Sequence, residues 1–241
     1  MSKKILIIFT LFFFFLIAIT ITFFLVSKKP CFNENLSVSK SNYVFGVDIS
    51  HYQGRINWNS FVNSKHPIKF IFLRSTMGAN SIDKRYNENI DNIRNNKFIL
   101  GSYHFFRPDE NSTEQFENFK NNTSVIKGDL IPVLDIESQS KFGNDSLIAQ
   151  LKNWLYLAEA HYGIKPMIYT GSNFYKSFIK GNLDEYPVWI ASYSEKSEEL
   201  EMDWSFHQFT DKISVKGVNT SVDGNNFKGK IEDLKKHFCL N

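Results

Sequence analysis

The chain has 241 residues, with 28 Lys and Arg against 25 Asp and Glu. Lys3, Lys4, Lys28 and Lys29 flank a single apolar stretch. Without these four the count is 24 basic against 25 acidic, which leaves no basic surplus to hold nucleic acid. The two cysteines, Cys31 and Cys239, lie too far apart in the chain to form a metal-ligand motif.

Residues 1–4 form a short tail before Ile5–Val26, a run of 22 residues without a charge. A helix of that length reaches roughly 33 Å, enough to cross a bilayer. It exceeds the apolar core of a secretory signal, about 7–15 residues, and no small-residue cleavage site follows it. An uncleaved single-pass anchor is therefore expected, with a cleaved signal as the alternative. Lysines on both sides of the span leave its orientation open. Residues 27–42 read as a polar linker, and residues 43–241 as one globular domain. Cys31 and Cys239 sit at the two ends of that domain, where they could pair outside the cytoplasm or stay as thiols.

Within the domain, short apolar runs alternate with helix-like segments. Strands are expected over Tyr43–Ile49, Phe70–Ser75, Phe98–His104, Leu130–Ile136 and Pro166–Thr170. Helices are expected near Trp58–Ser64, Tyr86–Asn96, Glu114–Asn122, Ser146–Tyr162 and Asn173–Phe178. In the longest, Leu147, Leu151, Trp154, Leu155 and Ala158 recur at helical spacing. Val188–Ala191, Phe206–Phe209 and Ser221–Asp223 then follow as strands with little room for helices between them. The expected fold class is α/β, a modified eight-stranded barrel of five βα units followed by three helix-poor strands. Such barrels carry their sites at the C-terminal ends of the strands. Asp48, Arg74, Tyr103, His104, Asp135, Glu137, Tyr169, Trp189, Gln208 and Asp223 all fall at or near an expected strand end.

The sharpest local feature is Ile131-Pro-Val-Leu-Asp135-Ile-Glu137. At strand rise, two carboxylates two positions apart share a face at roughly 6–7 Å. Their repulsion raises one pKa, so a carboxylic acid stays protonated near neutrality, as a general acid requires. Asp48 and Asp223 end the first and last strands, which become neighbours when a barrel closes. Singly, they read equally as a turn residue before a loop and as the first half of an Asp-Gly turn. Tyr103, Tyr169, Trp189, Tyr193 and Gln208 add aromatic faces and an amide, which suit a polysaccharide cleft, although aromatics also serve simply as core. The histidines form no metal motif, and His51 and His104 are placed near the mouth without clear partners. No phosphate-binding glycine loop or nucleophile elbow is present, so neither a metal nor an organic cofactor is implied. Oligomeric state is not legible.

Eight blocks in order, GVDISHYQGRINW, FIFLRSTMG, LGSYHFFRP, IPVLDIE, MIYTG, PVWIASY, WSFHQFTDK and VDGNNF, run from Phe45 to Phe227. On these the chain resembles glycoside hydrolase family 25, the Chalaropsis-type lysozymes. The resemblance implies cleavage of the β-1,4 bond between N-acetylmuramic acid and N-acetylglucosamine in peptidoglycan. It implies Glu137 as proton donor, Asp135 as its partner, and Asp48 and Asp223 as the other two active-site acids. Arg74, Tyr103, Tyr169, Trp189, Tyr193 and Gln208 become substrate-binding candidates. The second block departs from the family's frequent pattern, with Arg74 in place of Lys and Met77 in place of Glu. A wall hydrolase implies an extracytoplasmic domain held at the cell membrane, with peptidoglycan strands as its partner. The 2-acetamido group of the substrate is expected to assist, with Asp135 orienting it. A chitinase-like hydrolase and a tethered glycan-binding module are the competing readings; the fuller D-x-x-D-x-D-x-E chitinase pattern is absent.

Overall fold

The computed structural model describes residues 43–200 and 202–240. The expected N-terminal tail, anchor and linker, with Cys31, all lie outside these residues. Among the described residues, no helix is long and apolar enough to cross a membrane.

Eight strands close into a barrel: β1 (Val44–Ile49), β2 (Phe70–Met77), β4 (Ile99–Phe105), β5 (Val133–Asp135), β6 (Met167–Gly171), β7 (Val188–Ala191), β8 (Phe206–Ile213) and β9 (Val222–Phe227). A two-residue strand, β3 (Ser81–Ile82), folds back on β2. The first six barrel strands and β8 run parallel to their neighbours in sequence, and β1 pairs with β2 to seal the ring. Helices α1 (Trp58–Phe61), α2 (Tyr86–Asn95), α3 (Ser112–Asn122), α4 (Asn144–Tyr162) and α5 (Ser172–Phe174) follow the first five of these strands. The eight-stranded barrel with five βα units is thus as the segment rhythm implied.

Three features differ from expectation. Strand β9 is antiparallel to both β8 and β1. Asp223 therefore reaches the mouth from the start of its strand, not from the end. Strand β5 is only three residues long, because Pro132 has no N–H to donate and Leu130 bridges instead to Cys239. The last helix, α6 (Ile231–Phe238), was not anticipated. Leu234 and Phe238 pack with the barrel interior, and Phe238 meets Phe206 and Phe227 edge-on at centroid distances of 5.4 and 5.3 Å. Cys239, which follows it, is a buried thiol.

Side chains alternate across each strand, and this alternation positions the site. Phe45, Val47 and Ile49 pack outward under α1 and α2. Leu134, Ile168 and Ile190 pack outward with α3 and α4. The opposite phase fills the barrel with Val44, Phe70, Phe72, Val133, Met167, Phe206 and Phe227. One step higher on the same inward phase come Asp48, Arg74, Tyr103, Asp135, Tyr169, Gln208 and Asp223, all of which line one cavity. The interior is thus apolar below and polar at the mouth.

Gly46 and Gly101 make room for this filling. A Cβ on Gly101 would stand 2.3 Å from the Phe72 ring, and one on Gly46 would stand 2.4 Å from Phe70. Phe72 cannot retreat easily, because it stacks on Trp189 at 4.1 Å and 20°. Overpacking of this kind costs about 1–3 kcal/mol. Gly101→Ala is expected to lower the melting temperature by roughly 2–4 °C per kcal/mol, measured by thermal unfolding. An unchanged melting temperature would show that the rings have slack.

Candidate active site

Two acid pairs meet at the mouth. Asp48 on β1 and Asp223 on β9 are direct cross-strand partners. Asp135 ends β5, and Glu137 follows two residues later. A deep cavity of about 270 Å³ is lined by all four carboxyl groups, together with Tyr52, Arg74, Tyr103, Tyr169, Trp189 and Gln208. A second cavity of about 450 Å³ is lined by Gly171, Ser172, Asn173, Phe174, Ser192, Tyr193 and Ser194. Glu137 and Tyr169 line both. The two cavities therefore form one groove, and Glu137 stands where they join. Among the described residues, its carboxylate is the sole charged group on the wall of the second cavity.

Crowding four acids in a water-poor mouth raises their affinity for protons. For Asp135, burial is the main cause, followed by the charges of Glu137 and Asp48, and its pKa lies well above the ordinary carboxylate value. Burial also raises Glu137, against the opposing effects of a hydrogen bond from Asp135 and the Arg74 charge. Burial together with the neighbouring Glu137 and Asp48 charges thus gives Asp135 the stronger hold on a proton. Asp135 is buried and its Oδ1 has no hydrogen-bond partner, whereas Glu137 opens to the groove. Burial, then the neighbouring Asp48 charge, pushes Asp223 up to about 8. Asp48 is raised by burial too, against the opposing effect of bonds from Asn225, Gln208 and Asp223.

Gln208 ties the second pair to the groove wall. Its Nε2 donates to Asp48 Oδ2 at 2.9 Å and to Asp223 Oδ2 at 3.1 Å. Its Oε1 accepts from the Tyr169 and Tyr193 hydroxyls at 2.9 and 2.7 Å. All its hydrogen-bonding capacity is spent within the protein, which makes it a positioning group. Asn225 acts similarly: it donates to Asp48 Oδ2 at 2.7 Å and accepts from Trp189 Nε1 at 2.8 Å. Trp189 borders the cavity but is almost fully buried. Tyr193, by contrast, is an exposed ring at the rim.

Among the described residues, Arg74 is the lone cation lining the deep cavity. Its Nε donates to Asp83 Oδ2 at 3.2 Å, and its Nη2 lies 2.6 Å from His51 Nδ1. Asp83 is buried, which raises its pKa, but the His51 and Arg85 amides, the His51 ring and the Arg74 charge outweigh burial and lower it overall. The guanidinium also sits 4.9 Å from the exposed ring of Tyr52. His104 is not at the mouth. It faces outward between Thr76 Oγ1 at 2.7 Å and Gln115 Oε1 at 3.2 Å, stacks on Trp154, and burial lowers its pKa to about 4. Its place follows from alternation, since Tyr103 beside it faces in.

Asp83, Tyr52 and Asn225 were missed in the sequence. Asn225 was within reach, because it lies two residues beyond Asp223 on the same strand face. Asp83 comes from the turn after β3, which no periodicity announces. Among the described residues, no cluster of His, Cys, Asp and Glu could hold a metal.

A βα barrel whose mouth gathers paired carboxyl groups of raised proton affinity in an open groove is the architecture of a glycoside hydrolase. The model of glycosyl hydrolases family 25 matches residues 47–218, and the chain belongs to that family. It is 31% identical over 229 residues to the uncharacterized protein YegX of Escherichia coli (strain K12), covering 92% of this chain and 84% of that one. It is 30% identical over 209 residues to Lysozyme M1 of Streptomyces globisporus, covering 79% and 70%. The solved structure of a family 25 glycosyl hydrolase from Bacillus anthracis superposes with a TM-score of 0.72 at 28% identity, covering 83% of this chain and 98% of that one.

The raised pKa of Asp135 has a consequence for stability. Between the unfolded value of 3.8 and the raised folded value, the folded state holds a proton that the unfolded chain has lost. Stability therefore falls as pH rises through that window. Asp135→Asn removes the penalty. It is expected to raise stability on the order of 1–2 kcal/mol, or about 2–8 °C, at pH 8, and by less at pH 4. Melting curves at both pH values check this; a gain that is larger at pH 4 would contradict it.

Proposed function

We propose that the protein is a peptidoglycan muramidase that cleaves the β-1,4 bond between N-acetylmuramic acid and N-acetylglucosamine, with Glu137 as general acid. The observation that carries this reading is the place of Glu137 at the junction of the two cavities. A glycosidic oxygen bridging a sugar in the deep cavity and a sugar in the neutral one lies against that carboxyl group. The name of the Streptomyces globisporus relative, a lysozyme, supports the choice of substrate.

In this reading the deep cavity holds the sugar on which positive charge builds. The 2-acetamido oxygen attacks the anomeric carbon as the bond to the leaving oxygen breaks and Glu137 supplies that oxygen with a proton. Asp135 accepts the acetamido N–H, and as it turns to do so its proton passes to Glu137. One proton thus serves both tasks, which suits a pair in which Asp135 has the stronger hold on it at rest. Water then opens the cyclic intermediate, Glu137 takes the water's proton, and the product keeps the configuration of the substrate. The Asp48–Asp223 pair, oriented by Gln208 and Asn225, faces the developing charge.

The charge-free run Ile5–Val26 supports a further part of the proposal: a single membrane span holding the catalytic domain on the extracytoplasmic face, beside its substrate.

Digestion of peptidoglycan by the full-length protein, beside Glu137→Gln, tests the reaction. Mass spectrometry should find new reducing-end muramic acid with the wild type, and a rate lower by about 10²–10⁴-fold with the variant. Products ending in N-acetylglucosamine would overturn the bond assignment, and equal rates would move the acid elsewhere. Proton NMR of freshly released ends tests the acetamido route separately. Initial release of the β-anomer is expected, and initial α-anomer would exclude it.

A further inference from the structure

Two donors in the deep cavity are not used by the mechanism. Arg74 donates its Nε to Asp83, its Nη2 stands 2.6 Å from His51 Nδ1, and no hydrogen bond from its Nη1 is present among the described residues. Nη1 is also absent from the polar atoms sealed from solvent without a partner, and Arg74 lines the cavity. The Tyr103 hydroxyl is in the same state: its ring lines the cavity, its oxygen makes no hydrogen bond among the described residues, and it is not sealed in. The two residues are direct register partners on β2 and β4. Their side chains therefore stand side by side on the inward face.

Two adjacent free donors, one of them a fixed guanidinium fork, suit an acceptor oxygen of a carbonyl or carboxylate group. The fork is held rigid by the buried Asp83, which receives the His51 and Arg85 amides as well as Arg74. Around the barrel, β5 with Asp135 is followed by β4 with Tyr103 and then β2 with Arg74. If Asp135 receives the acetamido group on C2 of the sugar, Tyr103 and Arg74 are the next donors along that arc available to the substituent on C3.

We propose that Arg74 and Tyr103 form the subsite that reads the 3-O-lactyl group of N-acetylmuramic acid, the feature that distinguishes it from N-acetylglucosamine. This rests on the muramidase reading above and supplies its selectivity. The lactyl carbonyl or carboxylate oxygen accepts from Arg74 Nη1 and from the Tyr103 hydroxyl. An N-acetylglucosamine unit in the same place leaves both donors unpaired, which disfavours it.

Binding of the methyl β-glycosides of N-acetylmuramic acid and N-acetylglucosamine to the full-length protein, followed by NMR titration, tests this without turnover. The wild type should prefer the muramic acid glycoside by roughly ten- to a hundredfold. Arg74→Met should bring the preference close to unity by weakening the muramic acid glycoside alone, and Tyr103→Phe should reduce it partly. Because Arg74→Met strands Asp83, Arg74→Lys and the double variant Arg74→Met/Asp83→Asn are measured beside it. The first should keep part of the preference, and the second should lose it. No preference in the wild type, or equal weakening of both sugars in the Arg74 variants, would overturn the proposal. The digestion experiment stays independent: a wild type that prefers the muramic acid glycoside but releases no muramic acid ends sinks the muramidase reading and leaves this subsite standing.

Discussion

Everything at the mouth of this barrel depends on the electrostatic conflict of four carboxyl groups held together away from bulk water. Backbone register makes the conflict unavoidable, because Asp48 and Asp223 are opposed across two strands and Asp135 and Glu137 are two residues apart. Like charges so placed cannot all ionise. Burial and mutual repulsion raise the proton affinity of all four, with Asp223 pushed up to about 8 and Asp135 well above the ordinary value. Asp223 donates to Asp48, which amides from Gln208 and Asn225 favour as the charged member. Asp135 donates to Glu137, and the more exposed member of that pair is the one that faces the groove junction.

The surrounding structure serves that arrangement. Below the acids, stacked rings of Phe70, Phe72, Trp189 and Phe206 keep water out of the barrel and raise the proton affinity of the layer above. Trp189 links the two layers, since its ring packs on Phe72 while its N–H holds Asn225 against Asp48. To one side, the Arg74–Asp83 pair brings one positive charge into the cavity, and that charge moderates both Asp135 and Glu137. Buried and mutually repelling acids lower stability at neutral pH, and the apolar interior has to offset them.

Much of this could be read in the sequence, because strand alternation has a period of two. Asp48, Arg74, Tyr103, Asp135, Tyr169, Gln208 and Asp223 share one inward phase, and the expected strand ends were enough to find them. The same alternation, applied one residue further, sends His104 outward, where the sequence reading had left it near the mouth. Asp223 was placed at the mouth for the wrong geometric reason, since local composition does not reveal that β9 runs backwards. Trp189 and Gln208 stood out as residues for sugar contact, yet one is largely core and the other is saturated by its neighbours. Contacts of this kind depend on tertiary partners from other strands, and no spacing encodes them. Asp83 remained invisible for the same reason.

Each carboxyl pair is expected to retain a proton near neutrality. Carboxyl carbon-13 NMR titration of the full-length protein, labelled at Asp and Glu and assigned with Asp135→Asn and Asp223→Asn, measures it directly. At pH 7 the Asp135 and Asp223 resonances should still report protonated carboxyl groups, while Asp48 should be ionised. Four resonances titrating together near the ordinary carboxylate value would contradict the account.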